Sequence, residues 1–267
     1  MIGSKRKIII FTGHYPYTSI GEQAFVEPEF CFFQSLGMNC VLIPLKKKGI
    51  AVPSYSYDPS LSNNFQGSVF LKNNIKNFSF IFKDFFWKEV KSNKHILCKP
   101  LHLFQFLRAS LIINVVVNWC EKKELRDVTF YCFWKNHVST ALGIYKAKYP
   151  ERNIKIISKA HGYDVYEERH TPSYIPYYQT GLNNLDFCAT ISKHGENYIK
   201  SKFDIEDNRI GTYYMGVEKK KFLNNSSKDG IFRILSCSNV IPIKQIPLLT
   251  SAIINLSKTH SNKKIHW

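Results

Sequence analysis

Short apolar runs closed by glycine, proline or a polar loop recur along this chain, with helical stretches between them. The first is RKIIIFTG (residues 6–13), a continuous apolar segment ended by glycine. A run that short, without polar alternation, suits a strand buried on both faces of a parallel sheet. NCVLIPL, DVTFYCFW, NIKIISK, LDFCATIS and RIGTYYMG repeat the theme. Between them lie EQAFVEPEFCFFQSL, a long pattern from Phe78 to Lys123 broken at Lys99-Pro100, NHVSTALGIYKAKYP, YIPYYQTGLNN and KHGENYIKSKF, which read as helices. Asn136 and Ser192 are placed to cap two of them, Pro150 to stop one, and Gly181 to end another. Strand–helix alternation of this kind predicts an α/β fold with a doubly wound parallel sheet. Residues 46–75, rich in Ser, Asn, Pro and Tyr, read as a long loop with a short strand near SVFL.

KKKFLNNSSKDG (residues 219–230) reads as a linker. A second strand–helix unit then opens with IFRILSCS and IKQIPLLTSAIINLSK and reaches only KKIHW. The expected division is therefore a Rossmann-like domain over 1–218, the linker over 219–230 and an incomplete second domain over 231–267. About 38 residues cannot bury a core of their own.

Of 267 residues, 44% are hydrophobic and 15% aromatic, enough for a sizeable core. LIINVVVNWC (residues 111–120) is too short a greasy segment to span a bilayer. MIGSKRKIIIF has basic residues before an apolar run, but the run is shorter than the apolar region of a signal peptide and no small-residue cleavage site follows. Seven cysteines without paired spacing, mostly inside apolar runs, fit reduced thiols and give no metal-ligand pattern. The net charge of +17 favours anionic partners: phosphorylated ligands or an anionic membrane face. The excess is mostly Lys and no nucleic-acid-binding signature occurs, so nucleic acid is not an expected partner. A simple coat of surface lysine accounts for the charge equally.

In open parallel sheets, ligands bind beyond the carboxyl ends of the strands. Polar clusters follow the strands here: TGHYPYTSIGEQ, WKNH, AHGYDVYEERH, SKHG, MGVEKKKF and CSNVIPIK. The densest is KAHGYDVYEERH (residues 159–170), either a polar loop on its way to a helix or the wall of an active site. In it a small residue, Gly162, follows His161 and leaves room for a ligand. Asp164 lies close enough to orient His161, and Tyr163 and Tyr166 could pack on a sugar or base. Gly21, before Glu22 at a helix start, could admit an anion to backbone N–H groups. His14 and His137 read as easily as turn and helix-start residues. Lys244, at the start of the last helix, could neutralise a phosphate. No GxGxxG, nucleophile elbow or Ser-His-Asp order is present, so neither a dinucleotide cofactor nor a hydrolase of that type is expected.

Several of these stretches, taken in order, resemble the family 4 glycosyltransferases, retaining enzymes with two facing Rossmann-like domains, the GT-B architecture. AHGYDVYEER is similar to the family's His-Gly-x-Asp segment, ATISKHGENYIKSKF to its Ile-Ser-x-x-Gly helix start, and YYMGVEKKKF to its Gly-Val-Asp-x-x-x-Phe signature, with Glu218 in the Asp place. FRILSCSNVIPIKQIPLLTSAI resembles the opening of the second domain, and YPYTSIGEQAFVEPE the first-domain glycine loop. The resemblance implies hexosyl transfer from a UDP- or GDP-linked sugar to an acceptor hydroxyl with retention, without a cofactor. A lipid-linked saccharide in bacterial surface-polysaccharide synthesis, lipopolysaccharide included, would be the acceptor. His161 would contact the donor sugar, with Asp164 beside it as a catalytic partner. Lys244 and Gly216 would serve the donor phosphates, and Gly21 and Glu22 the acceptor or phosphate side. Two departures stand out: Asn239 occupies the place of a diphosphate-binding Arg, and the family's Glu-x7-Glu segment is absent from these residues. They imply a chain cut short or half of a split enzyme, which by itself binds donor poorly. They also admit an inactive fragment that serves as a membrane- or partner-binding module.

FIFKDFFWKEV and LHLFQFLRASLIINVV mix aromatic and aliphatic residues with Lys. They read as core helices or as an interfacial surface for anionic lipid. The protein is expected in the cytoplasm, and the second reading would place it peripherally on the inner face of the plasma membrane.

Overall fold

The computed structural model describes residues 6–17, 21–52, 55–68, 75–216 and 228–267. The chain divides into two units, Met1–Met215 and Gly216–Trp267. In the first, chain order runs β1 (Lys7–Thr12), α1 (Gln23–Ser35), β2 (Cys40–Pro44), α2 (Ser60–Ser68), α3 (Asp84–Ser92), α4 (Pro100–Lys123), β3 (Val128–Cys132) and α5 (His137–Lys148). It continues with β4 (Lys155–Ala160), α6 (Gly162–Val165), α7 (Tyr178–Asn184), β5 (Phe187–Thr190), α8 (Lys193–Lys202) and β6 (Ile210–Thr212). The six strands form one parallel sheet in the order β2-β1-β3-β4-β5-β6. This is the expected doubly wound, Rossmann-like α/β fold. The chain leaves β1 outward to β2, then returns to β3 on the other side of β1. The topological switch point is therefore the crevice between β1 and β3.

The uninterrupted apolar runs serve two cores at once, because successive side chains point to opposite faces. Ile9 and Phe11 of β1, Ile43 of β2 and Phe130 of β3 join the larger cluster with α4, α5 and α7. Ile10, Leu42 and Phe133 join the smaller one with Val26 and Phe30 of α1.

The stretch read as a loop over 46–75 contains α2. Its sequence, SLSNNFQGS, has weak helix propensity. The helix forms because Leu61 is fully buried, worth about 2 kcal/mol. Asp58 accepts from Ser60 N at 2.8 Å, and Ser60 Oγ accepts from Trp119 Nε1 at 2.9 Å. The strand expected near SVFL lies largely outside the described residues.

Gly181 is mid-helix in α7, not its end. A Cβ there would sit 2.7 Å from Thr140 Oγ1, and one at Gly143 would sit 2.4 Å from Asn184 Cβ. Both glycines thus permit the close approach of α5 and α7. Asn136 and Ser192 cap α5 and α8, accepting from Val138 N at 2.9 Å and Gly195 N at 3.1 Å. By length and composition α4 could cross a membrane. Here Phe106, Ala109, Ile113, Val116 and Cys120 bury one side of it in the larger core.

The second unit contains β7 (Ile231–Arg233), α9 (Ile246–Thr259) and β8 (Lys264–His266), with β7 and β8 paired in parallel. None of its described residues is buried. Most of the expected linker, together with Glu218, falls outside the described residues.

Candidate functional site

At the switch point, the loops after β1 and β3 are tied by one carboxylate. Glu22, 8% exposed, accepts from Gly13 N at 2.6 Å, Tyr15 N at 2.9 Å and His14 N, and from the indole Nε1 of Trp134 at 2.7 Å. Glu22 was expected on the acceptor or phosphate side, and its bonds do not suit the phosphate half of that expectation. Its oxygens are occupied by four internal donors, and its negative charge would repel a phosphate. Glu22 is a positioning residue: it sets the β1–α1 loop and holds the Trp134 ring. Gly21, at φ +104°, takes a conformation that L side chains avoid, and a Cβ there would meet nothing within 4 Å. His14 stands at the rim, 3.9 Å from Glu22. Burial lowers its pKa, opposed by Glu22 and reinforced by Lys46 and Lys48.

His161 follows β4 and begins α6. Its ring packs on Trp134 and Phe133, with centroids 4.3 and 5.1 Å apart. It is 8% exposed, and neither ring nitrogen has a hydrogen-bond partner. Asp164 Oδ2 lies 3.4 Å from His161 Nδ1 without an aligned hydrogen bond, and accepts from His161 N at 3.2 Å. The structure thus brings His161, Asp164, Trp134 and Glu22 into one continuous group. A buried polar atom left unpaired costs about 1–3 kcal/mol. Nε2, with no partner at all, is a ring nitrogen free to meet a hydroxyl beside an indole at the carboxyl edge of the sheet.

Gly162 does not leave the room expected of it. Arg169 Nη1 lies 2.2 Å from where a Cβ would stand, so the glycine admits the Arg169 guanidinium, which also covers the Tyr166 ring at 4.4 Å. Tyr166 is buried, bonded to His194 and unable to stack on a ligand, whereas Tyr163 is exposed. Lys244 and Gly216 belong to the second unit. Lys244 ends the turn Pro242–Lys244 and is exposed; Gly216 is exposed with open space about it.

Two residues of WKNH were not singled out by sequence reasoning. Trp134 bridges Glu22 and His161. Lys135, 5% exposed, lies 3.3 Å over the Tyr178 ring. Burial pushes its pKa down to about 8, against the pull of Cys188, Asp164 and Glu167. The only hint was a polar tetrapeptide at the end of a strand.

His137 is held at about 4, first by burial and then by Arg108, Lys135 and His170. The unfolded chain takes up the corresponding proton near pH 6.5, so it binds more protons than the folded protein between about 6.5 and 4. Stability is therefore present above pH 6.5 and is lost as pH falls toward 4. The ceiling on this loss is about 3 kcal/mol, lowered by the partial exposure of the side chain. Urea midpoints of His137→Gln should vary less with pH across this window than those of the wild type. Equal slopes would remove His137 as the cause.

No protein-family model matches the chain, and no curated protein sequence matches it. Among solved structures, it is similar to TarM, with a TM-score of 0.58 and 11% identity over 99% of this chain and 71% of that one. It also aligns with a mutant of S. aureus TarM in complex with fondaparinux, α-GlcNAc-glycerol and UDP. There the TM-score is 0.54 and the identity 11%, over 98% of this chain and 71% of the other. At this identity the likeness establishes the fold.

Proposed function

We propose that this protein is a glycosyltransferase of the hexosyl-transferring kind, moving a sugar from a UDP- or GDP-linked donor to an acceptor hydroxyl with retained configuration. The observation that carries the reading is His161: a buried imidazole whose Nε2 has no partner and whose Nδ1 faces only Asp164 at 3.4 Å, at the carboxyl edge of a Rossmann-like sheet. The fold likeness is compatible with it, since one structure of that fold is in complex with UDP and α-GlcNAc-glycerol. His161 would hydrogen-bond a hydroxyl of the donor sugar, with Asp164 orienting the ring. Lys244 would offset the charge that grows on the departing diphosphate, with Gly216 leaving its backbone accessible. The likeness to family 4 glycosyltransferases points to a lipid-linked saccharide acceptor in surface-polysaccharide synthesis. Titration with a panel of UDP- and GDP-sugars, followed by product analysis, tests the reading. One nucleotide sugar should bind above the rest, and its product should keep the donor's anomeric configuration. Absence of binding across the panel overturns sugar transfer by these residues alone in favour of the inactive-fragment alternative, and an inverted product overturns retention.

A second reading, attachment to the inner face of the plasma membrane, rests on a specific surface. Phe82, Trp87, Leu97, Leu101 and Phe104 are between 52% and 83% exposed over residues 82–104. Lys83, Lys88, Lys91, Lys94 and Lys99 lie among them. Aromatic bodies with lysine heads suit an anionic interface, at about 1 kcal/mol per basic residue near the surface. Vesicles rich in phosphatidylserine should sediment the protein at low salt and release it at high salt. Equal recovery in the supernatant with anionic and neutral vesicles would remove this reading, and with it the alternative of an inactive membrane-binding module.

A further inference from the structure

A cavity of about 480 Å³ opens at the carboxyl edge of the same sheet, on the face covered by α2, α4 and α5. Its apolar wall comes from Leu45 after β2, Phe65 of α2, Ile112 of α4 and Val138 of α5. Lys46, Lys47 and Arg108 line it as well, and no Asp or Glu does. No side-chain hydrogen bond or ion pair joins Lys46, Lys47 or Arg108 to another described residue, although Lys46 N donates to Gly13 O at 2.9 Å. The N-terminus of α5, a helix of 12 residues, reaches the cavity at Asn136 and His137, adding its positive end to the same field. Such a volume falls within the range of small-molecule sites.

The cavity does not end blindly. Leu101, Phe104, Arg108 and Ile112 are spaced by three, four and four residues along α4, which puts them on one face of the helix. Leu101 and Phe104 are 63% and 64% exposed. This stripe therefore runs from an uncovered apolar surface, past a guanidinium, to the apolar wall of the cavity. A ligand complementary to it carries a negative head and an apolar chain.

We propose that this cavity binds the head of a membrane-borne anionic amphiphile, a phosphate ester on an apolar chain, with its phosphate on Lys46, Lys47 and Arg108 and its chain along Leu101 and Phe104. Arg108 is suited to a phosphate because its planar fork can present two N–H donors together. That this amphiphile is the sugar acceptor rests on the transferase reading; that the cavity binds it does not.

The test is calorimetric titration with decyl phosphate below its micelle concentration, beside inorganic phosphate as the head alone and decyl glucoside as the chain without charge. Decyl phosphate should bind at least about tenfold tighter than either, or ~1.4 kcal/mol. Arg108→Glu, at an exposed position, and Ile112→Trp, which fills the cavity, should each weaken it about tenfold or more. Arg108→Glu carries the test by itself should the tryptophan disturb folding. Equal affinity for inorganic phosphate and decyl phosphate, or unchanged affinity in Arg108→Glu, overturns the proposal. UDP is titrated in parallel. Binding of decyl phosphate as stated, with no binding of UDP or any nucleotide sugar, sinks the transferase reading and leaves this site standing.

Discussion

Replacing His161 with alanine should lower kcat/KM for sugar transfer by about 100- to 1000-fold, or about 3–4 kcal/mol of transition-state stabilisation. The same change should leave thermal stability near that of the wild type. The two expectations belong together. A histidine retained for packing would lose its contacts with Trp134 and Phe133, at a cost of about 2 kcal/mol or more. A histidine kept for a ligand instead carries an unpaired Nε2 and a poorly aligned Nδ1 in the free protein, and removing them relieves a penalty that offsets the lost packing. His161→Asn, which keeps a hydrogen-bonding group but not the ring, should fall between wild type and alanine in rate. Asp164→Asn should lower the rate less than His161→Ala, because Asp164 acts through the imidazole. A variant with a melting temperature several degrees lower and a rate within threefold of wild type would assign His161 to packing.

Glu22→Ala should produce the largest loss of stability of any single change at this edge, about 3–5 kcal/mol. Four donors, three of them backbone N–H groups, converge on one buried carboxylate. Deleting it strands all of them, and charge-assisted bonds to such a group are worth about 1.5–3 kcal/mol each before any relaxation. Glu22→Gln should cost less, because the amide oxygen can still accept from part of the set while its NH₂ meets donors head-on. Chemical denaturation of both variants gives the ordering. A destabilisation below about 1 kcal/mol for the alanine variant would show that the loop finds other partners. Loss of the Trp134 restraint should also reach the His161 ring packed against it, so Glu22→Gln should impair sugar transfer without touching substrate.

Strands β1 to β3 were legible because each is a mostly apolar run that must feed two cores. The pattern that reveals the strand is the same one that lets Ile9 and Ile10 point to different faces. Helix α2 was not legible, since SLSNNFQGS carries neither a strong propensity nor a full apolar stripe. It is held by Leu61 and by the contact of Ser60 with Trp119, which is 59 residues away. Gly181 misleads for a related reason: glycine marks helix ends, and it also marks places where two backbones come close. At the candidate site, His161 and Asp164 could be named because they are three residues apart. The tie between Glu22 and Trp134 spans 112 residues, and nothing local to either announces it. Gly162 shows the limit of reasoning from size alone, since the space beside it is filled by Arg169 from the same loop.

The contact between α5 and α7 has a consequence for how this sequence can drift. Every single-base change to a glycine codon that alters the residue inserts a side chain or stops the chain. At Gly143 the first added carbon already collides with the Cβ of Asn184, an atom fixed to the backbone, and at Gly181 it meets Thr140. The first collision cannot be relieved by turning a side chain, and the second needs the stiff, β-branched Thr140 to leave its rotamer, so each would strain the packing of two helices beneath Lys135 and His137. Descendants of this chain can vary widely over its lysine-coated surface, but at these two codons they can change only together with the residue opposite.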